Sequence, residues 1–155
     1  MIEGKDTVIQ HYRDSINQAA QWKHITDKKW RTPIAEGKWT IGEVAGHFIP
    51  WDDFVRTKRI PFFQKGGPFP ESPDVHQTNQ ESAAISRQRS QEETIAALIE
   101  GRQKLIAAIQ LLDDEGWERE FLLKHTPITL AVYFQGQIEH DKHHFRQIES
   151  ARHER

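Results

Sequence analysis

Three histidines are the residues of this chain whose types and spacing best suit chemistry. His140 and His144 are four residues apart in a segment, 137–148, that lacks proline and glycine and therefore predicts a helix. Residues four apart share one face of a helix, with Cβ atoms about 5–6 Å apart, so two imidazoles there can bind one metal ion. A third ligand from another helix, such as His47, would leave coordination positions open, which is typical of a catalytic metal site.

Simpler explanations exist for each of these residues. A histidine pair at this spacing also occurs on helix surfaces without a metal, and His47 alone could be a structural histidine.

The angular positions on the C-terminal helix favour a pocket. One arc is apolar and should face the core, whereas the arc beside it holds Tyr133, Gln137, His140 and His144. The histidine pair is therefore expected at the border between core and solvent.

Neighbouring polar residues have several open interpretations. Glu43 follows Thr40 by three residues, which predicts a capping box at a helix start, although Glu43 could also be a fourth metal ligand. Asp141 lies in the apolar arc, where it could accept a hydrogen bond from a ligand histidine or from a backbone or tryptophan N–H group. His76 could reach a pocket from a proline-rich segment.

Hydrophobic periodicity predicts four helical segments. The first covers about 6–25, and the second starts at the Thr40 cap, with Pro50 predicting a kink or break near 48–49. The stretch 61–79 holds four prolines and is expected to be a long irregular loop. A short and a long helix should share 80–112 around a second capping box, Ser90 with Glu93. The last helix should start near Thr126–Pro127 or at Thr129 and continue to about 151.

These segments predict an all-α fold, a four-helix bundle, in one domain that covers residues 1–155. Residues 119–125 could be extended, but one short stretch does not make a sheet.

Composition narrows the class of protein. Charged residues make up 28% and the net charge is −2, without a basic stripe, so nucleic acid is not an expected partner. No apolar stretch approaches the roughly 20 residues of a membrane span, so no membrane is expected. The chain has no cysteine, which removes thiolate ligands and a thiol nucleophile of its own. The N-terminal six residues lack the apolar core of a signal peptide, so the expected location is the cytoplasm.

Two motifs together resemble a known family. They are G-K-W-T-x-x-E-V-x-x-H over 37–47 and H-D-x-H-H-x-x-Q-I over 140–148. Their sequence and separation resemble the DinB/YfiT-like superfamily over nearly the whole chain. The resemblance implies a four-helix bundle, usually a homodimer, in which His47, His140 and His144 bind a divalent metal ion. Three imidazoles suit Zn, Ni, Cu or Fe, of which we expect Zn, with Ni as the main alternative.

The family resemblance also implies a small-molecule substrate and an enzymatic role. Its members include S-transferases that use bacillithiol or similar low-molecular-weight thiols, mycothiol-dependent isomerases and metal-dependent hydrolases. We expect a transferase that uses a small thiol. A hydrolase with a metal-activated water is the alternative, since the same three ligands suit both reactions. A non-catalytic bundle that binds a metal or a partner is the third possibility. No catalytic side chain can be assigned from the sequence.

Overall fold

The computed structural model describes residues 4–154, so the expectation about the N-terminal six residues falls partly outside the described chain. The helices are α1 (Lys5–Gln21), α2 (Asp27–Trp30), α3 (Ile41–Phe54), α4 (Ile60–Lys65), α5 (Val75–Gln88), α6 (Gln91–Gln110) and α7 (Leu130–His153). One π-helical turn, Val55–Arg59, joins α3 to α4, and 3-10 turns cover Trp22–His24 and Glu115–Glu118. Strands β1 (Glu120–Leu123) and β2 (Thr126–Thr129) form an antiparallel hairpin in which Glu120 lies opposite Thr129.

Helices α1, α3, α6 and α7 pack around a common interior, which confirms the predicted all-α four-helix bundle. Their buried apolar side chains form two clusters, one at each end of the bundle. The shorter α5 packs against α3. No helix within residues 4–154 combines the length and apolar character that a membrane span requires.

The predicted helix starts are set by side-chain caps. Both capping boxes form, at Thr40 with Glu43 and at Ser90 with Glu93. Thr129 accepts a hydrogen bond from the Val132 backbone N–H at 3.2 Å, so α7 begins at the later of its two predicted starts. These caps satisfy backbone N–H groups that the first helical turn leaves without partners.

Pro50 does not break α3, which continues through it to Phe54, so of the predicted kink or break near 48–49 the break does not occur. A proline at position 50 leaves the Gly46 carbonyl without its usual helical donor. The Ser82 hydroxyl of α5 donates to that carbonyl at 3.1 Å. Helix α5 can come this close because Gly46 has no side chain: a Cβ there would lie 1.9 Å from the Ser86 hydroxyl.

Two other local predictions were wrong in part. The stretch 61–79 is not one long loop, because α4 extends to Lys65 and α5 starts at Val75, leaving 66–74 irregular. Pro61 lies in the first turn of α4, a position where proline favours a helix. Residues 120–123 are extended, as was considered possible, but they pair with 126–129, so Pro127 belongs to a strand and not to α7.

Candidate metal centre

The structure brings together the three histidines singled out in the sequence. Helix α3 supplies His47, and α7 supplies His140 and His144. Each offers one ring nitrogen, and these three atoms lie within 4.8 Å of one another. Ring centroids are 4.4 Å apart for His47 and His144, and 4.6 Å apart for His140 and His144. The cluster therefore could hold one metal ion.

His47 is the buried member of the cluster, with 3% of its surface exposed. Its Nδ1 hydrogen-bonds the Val44 backbone carbonyl one turn earlier in α3. A carbonyl can only accept, so Nδ1 carries the proton and Nε2 presents a lone pair. That buried Nε2 has no hydrogen-bond partner among the described residues. An unpartnered buried nitrogen is costly, and a bound cation would satisfy it.

His144 is oriented in a similar way by a side chain. Its Nδ1 donates to Oε1 of Gln147 at 2.7 Å, which leaves Nε2 as the metal-facing nitrogen. This arrangement is typical of metal-binding histidines, whose second nitrogen is fixed by a hydrogen bond. His140, one turn earlier on the same face of α7, is exposed.

All three imidazoles are held in the neutral form that binds metals. Burial is the main cause that lowers the pKa of His47 from 6.5 to about 3, and the neighbouring His144 and His140 contribute to this shift. Partial loss of hydration is the main cause that lowers the pKa of His140 and of His144. Because a protonated imidazole has no free lone pair, these shifts favour metal binding at neutral pH.

A cavity of about 320 Å³ opens beside the three histidines. Aromatic rings form much of its wall, and the amides of Asn79 and Gln137 add polar groups. Burial raises the pKa of Tyr133 above 10.0, so its hydroxyl stays protonated and can donate a hydrogen bond. The full lining is Trp39, His47, Trp51, Phe54, Val55, Arg59, Ser72, Val75, Asn79, Tyr133, Gln137, His140 and His144. A metal at the histidines would therefore be reachable by a small molecule.

The family model of the DinB superfamily matches residues 10–148. This chain belongs to the DinB superfamily. YfiT from Bacillus subtilis, described as a probable metal-dependent hydrolase with an unusual four-helix bundle topology, superposes with a TM-score of 0.77 at 22% identity. That match covers 95% of this DinB chain and 85% of the YfiT chain.

A mycothiol-dependent maleylpyruvate isomerase, solved as a histidine-to-alanine mutant, superposes with a TM-score of 0.72 at 11% identity. The match covers 94% of the DinB chain but 61% of the isomerase, so the chain spans less than two thirds of that protein. At such identities these likenesses show the fold alone. No curated protein matches the chain significantly.

The other polar candidates from the sequence have different roles in this DinB protein. Glu43 forms the predicted capping box and pairs with Arg87 at 2.7 Å, and it is not part of the histidine cluster. His76 is exposed on α5 and does not line the cavity, although Val75 and Asn79 do. Neither residue therefore supplies a fourth ligand in this structure.

Asp141 has neither of its predicted partners. Its carboxylate accepts two hydrogen bonds from the Arg102 guanidinium, and the one from Nη2 is 3.0 Å long. It accepts another from Nε2 of His11 at 2.9 Å. These contacts hold the pKa of Asp141 at about 2, despite its burial. Asp141 thus fixes α7 against α6 and α1 and does not bond the histidines of the cluster, His47, His140 and His144.

Sequence reasoning missed two arginines of functional or structural weight. Arg59 lines the cavity, and Arg102 is buried between α1, α3, α6 and α7. Arg102 falls within the apolar stripe of α6, between Leu98 and Leu105, and this signal could have identified it, since a charge in such a stripe needs a buried partner. Arg59 had no comparable signal, because a π-helical turn sets its direction.

Proposed function

We propose that His47, His140 and His144 bind one divalent metal ion, Zn or Ni, and that this DinB protein is a transferase acting with a low-molecular-weight thiol. The observation that carries the proposal is the convergence of the three ring nitrogens at the wall of an open cavity. Three nitrogen ligands suit Zn and Ni, and a bound cation would satisfy the buried Nε2 of His47, which has no hydrogen-bond partner among the described residues.

Bound there, the metal would lower the pKa of a thiol so that thiolate is present at neutral pH. The reaction forms a sulfur–carbon bond on an electrophilic acceptor, the bond to its leaving group breaks, and the thiol proton goes to solvent. The chain's own residues orient the reactants: Trp39, Trp51 and Phe54 offer apolar contacts, and the Tyr133 hydroxyl offers a hydrogen bond.

The lining of the cavity favours thiol transfer over water activation. Metal-dependent hydrolysis commonly employs a carboxylate as the general base beside the attacking water. The described residues that line this cavity include no aspartate or glutamate. The likeness to a mycothiol-dependent isomerase agrees with a thiol as the second reactant, whereas the likeness to YfiT keeps hydrolysis as the competing outcome.

Metal analysis of the purified protein, beside a His140→Ala variant, tests the ligand set. The expected result is about one Zn or Ni per chain, lost in His140→Ala. His143→Ala is the matched control, because His143 is exposed, lies outside the cluster and should keep the metal. Wild-type protein that binds no divalent metal, or a His140→Ala variant that binds it equally well, would contradict the ligand assignment.

A conjugation assay tests the reaction. Metal-loaded protein is mixed with bacillithiol, glutathione or coenzyme A and a fluorogenic electrophile such as monobromobimane. Thiol consumption above the uncatalysed rate, absent from His140→Ala, is expected. Ester or amide cleavage without conjugation to any thiol would instead assign the hydrolase.

A further inference from the structure

The wall of the cavity carries one cationic side chain, since its three histidines are neutral. Arg59 is the single arginine or lysine among the described residues that line it, and the lining includes no carboxylate. No aspartate or glutamate among residues 4–154 forms an ion pair with Arg59. Its positive charge is therefore not neutralised within the described chain and faces a cavity whose other walls are largely aromatic.

Contacts on three sides hold the Arg59 guanidinium in place. Its Nε donates to the Pro70 carbonyl at 2.9 Å. Its Cζ lies 4.9 Å from the ring centroid of Phe54 and 4.6 Å from that of Phe69. Such cation–π contacts restrain an arginine without neutralising it. The guanidinium also hydrogen-bonds the Tyr133 side chain. Of its five N–H groups, those not bonded to Pro70 or Tyr133 stay available to an anion, and a restrained fork loses little freedom when it binds a carboxylate.

The π-helical turn explains why Arg59 and not Lys58 reaches the cavity. His47, Trp51 and Phe54 follow one another at helical spacing and line the cavity. Continued as an α-helix, that stripe would reach residue 58. The turn Val55–Arg59 inserts one residue, so Arg59 takes that place and Lys58 is exposed. Such π turns are frequent at functional sites.

We propose that Arg59 binds a carboxylate of the molecule that occupies the cavity, so the substrate combines a carboxylate with an apolar or aromatic body. This inference rests on the proposed function in one respect only, namely whether the thiol or the acceptor is the reactant that carries this carboxylate. The contact between Arg59 and the carboxylate needs no metal.

Binding of phenylacetate and phenylacetamide to metal-free protein tests the contact. Trp39 and Trp51 line the cavity, so their fluorescence reports occupancy. Wild-type protein should bind the acid about tenfold to a hundredfold more tightly than the amide, as expected for a charge-assisted hydrogen bond. Equal binding of acid and amide would overturn the proposal.

Variants then assign the preference to Arg59. Arg59→Gln should bind acid and amide about equally, whereas Lys58→Gln, which removes the same charge one residue away, should keep the wild-type ratio. Circular dichroism checks the fold. If Arg59→Gln does not fold, Arg59→Lys replaces it and should reduce the ratio severalfold by losing the fork. An unchanged ratio in the folded Arg59 variant would overturn the proposal.

Two pairs of reactants identify the source of the carboxylate in metal-loaded protein. The thiol pair is 3-mercaptopropionate and its amide, each with monobromobimane. The acceptor pair is 4-(chloromethyl)benzoate and its amide, each with 2-mercaptoethanol. Arg59→Gln should lower kcat/KM about tenfold or more for the acid of one pair and not for its amide. If neither acid is affected while conjugation proceeds, the carboxylate contact is overturned.

The two proposals fail in distinguishable ways. Protein that binds no metal and conjugates no thiol, but still prefers phenylacetate through Arg59, contradicts the transferase and supports the carboxylate site. Protein that conjugates thiols with equal rates for acids and amides, in wild type and Arg59→Gln, supports the transferase and contradicts the carboxylate site.

Discussion

The three histidines of the cluster differ in how firmly each is oriented. His47 is buried and bonded to the Val44 carbonyl, and His144 is bonded to Gln147. Both therefore present Nε2 to the centre before any ligand arrives. His140 is exposed, and no described residue accepts a hydrogen bond from its ring. We therefore expect His140 to adjust its position on metal binding while the other two stay in place.

Gln147 should matter for metal affinity although it lies outside the ligand set. Gln147→Ala removes the acceptor of the His144 Nδ1 hydrogen bond, so the ring loses its fixed orientation. Loss of such a partner typically lowers metal affinity about 10- to 100-fold. Competition with a chelator measures the change. Gln103→Ala, at an exposed position on α6, is the control, and equal affinities in the two variants would contradict this role.

At the residue scale, positions set within one helix were predictable from the sequence, whereas most contacts between helices were not. The exception is His47, whose approach to the α7 histidines the family resemblance implied. The positions of His140 and His144 beside the core follow from the angular order within α7. The partners of Asp141 could not be assigned, because Arg102 and His11 reach it from α6 and α1. The direction of the Arg59 side chain depends on a π-helical turn, and no residue type in 55–59 predicts such a turn.

Among the elements, α3 determines where the buried histidine lies, and it contains an interior proline three residues later. Pro50 leaves the Gly46 carbonyl without its helical donor, and the Ser82 hydroxyl of α5 replaces that donor. The proline is therefore tolerated because a neighbouring helix supplies the missing hydrogen bond. This contact also ties α5, which contributes Val75 and Asn79 to the cavity, to the helix that carries His47.

A double-mutant cycle tests whether Ser82 compensates for Pro50. Ser82→Ala in the wild type leaves a buried carbonyl unpaired and should cost about 1–3 kcal/mol in the free energy of unfolding. In a Pro50→Ala background the new backbone N–H can bond Gly46, so the same change should cost less by about 1 kcal/mol. Urea denaturation measures both steps. Equal costs in the two backgrounds would show that the two residues act independently.

Elements were predictable where a local signal sets them. Thr40 with Glu43 and Ser90 with Glu93 fixed two helix starts, because a cap needs only neighbouring residues. The four prolines predicted a loop over 61–79, but Pro61 lies in the first turn of α4, where proline favours a helix. The hairpin was only partly foreseen, because its four-residue strands are stabilised by pairing with each other and not by their own periodicity.

Across the whole molecule, one polar layer separates the two apolar clusters of the bundle. Each long helix supplies one member at the same height: Ser15 from α1, Asp52 from α3, Arg102 from α6 and Asp141 from α7. Arg102 donates to Asp52 at 2.8 Å and to Ser15 at 3.3 Å, in addition to Asp141. Because Asp141 directly follows His140, this layer also fixes the rotation of α7 that directs the histidines towards α3.

Asp52 should make stability depend on pH in an unusual direction. Burial raises its pKa to about 6, against the opposing charge of Arg102, because one guanidinium serves two carboxylates. A folded-state pKa above the unfolded value near 3.9 means that folding favours the protonated form. Its contribution is therefore present below about pH 4 and is lost as pH rises through about 6.

The measurement compares the wild type with Asp52→Asn, which keeps the shape but does not titrate. Between about pH 4 and 7, the wild type should lose on the order of 3 kcal/mol of unfolding free energy relative to the variant. Urea denaturation across this range gives the difference. A difference that stays constant with pH would mean that folding does not raise the pKa of Asp52.

Several properties of the whole molecule stay predictions. They are the homodimer, the cytoplasmic location and the assignment of all 155 residues to one DinB-like domain. Sedimentation of the purified protein tests the first. The apolar faces of the four long helices are directed at each other, so they do not identify the surface through which two chains would associate.

Arg102 should be the most sensitive single position for stability. It is 1% exposed and pairs with two buried carboxylates, so Arg102→Met leaves both without a counter-charge. Breaking a buried ion pair from one side typically costs about 3–5 kcal/mol in the free energy of unfolding. Lys104→Met, which breaks an exposed pair with Glu100 on the same helix, should cost less than about 1 kcal/mol. Urea denaturation of both variants decides, and similar costs would mean that the layer is not what holds the four helices in register.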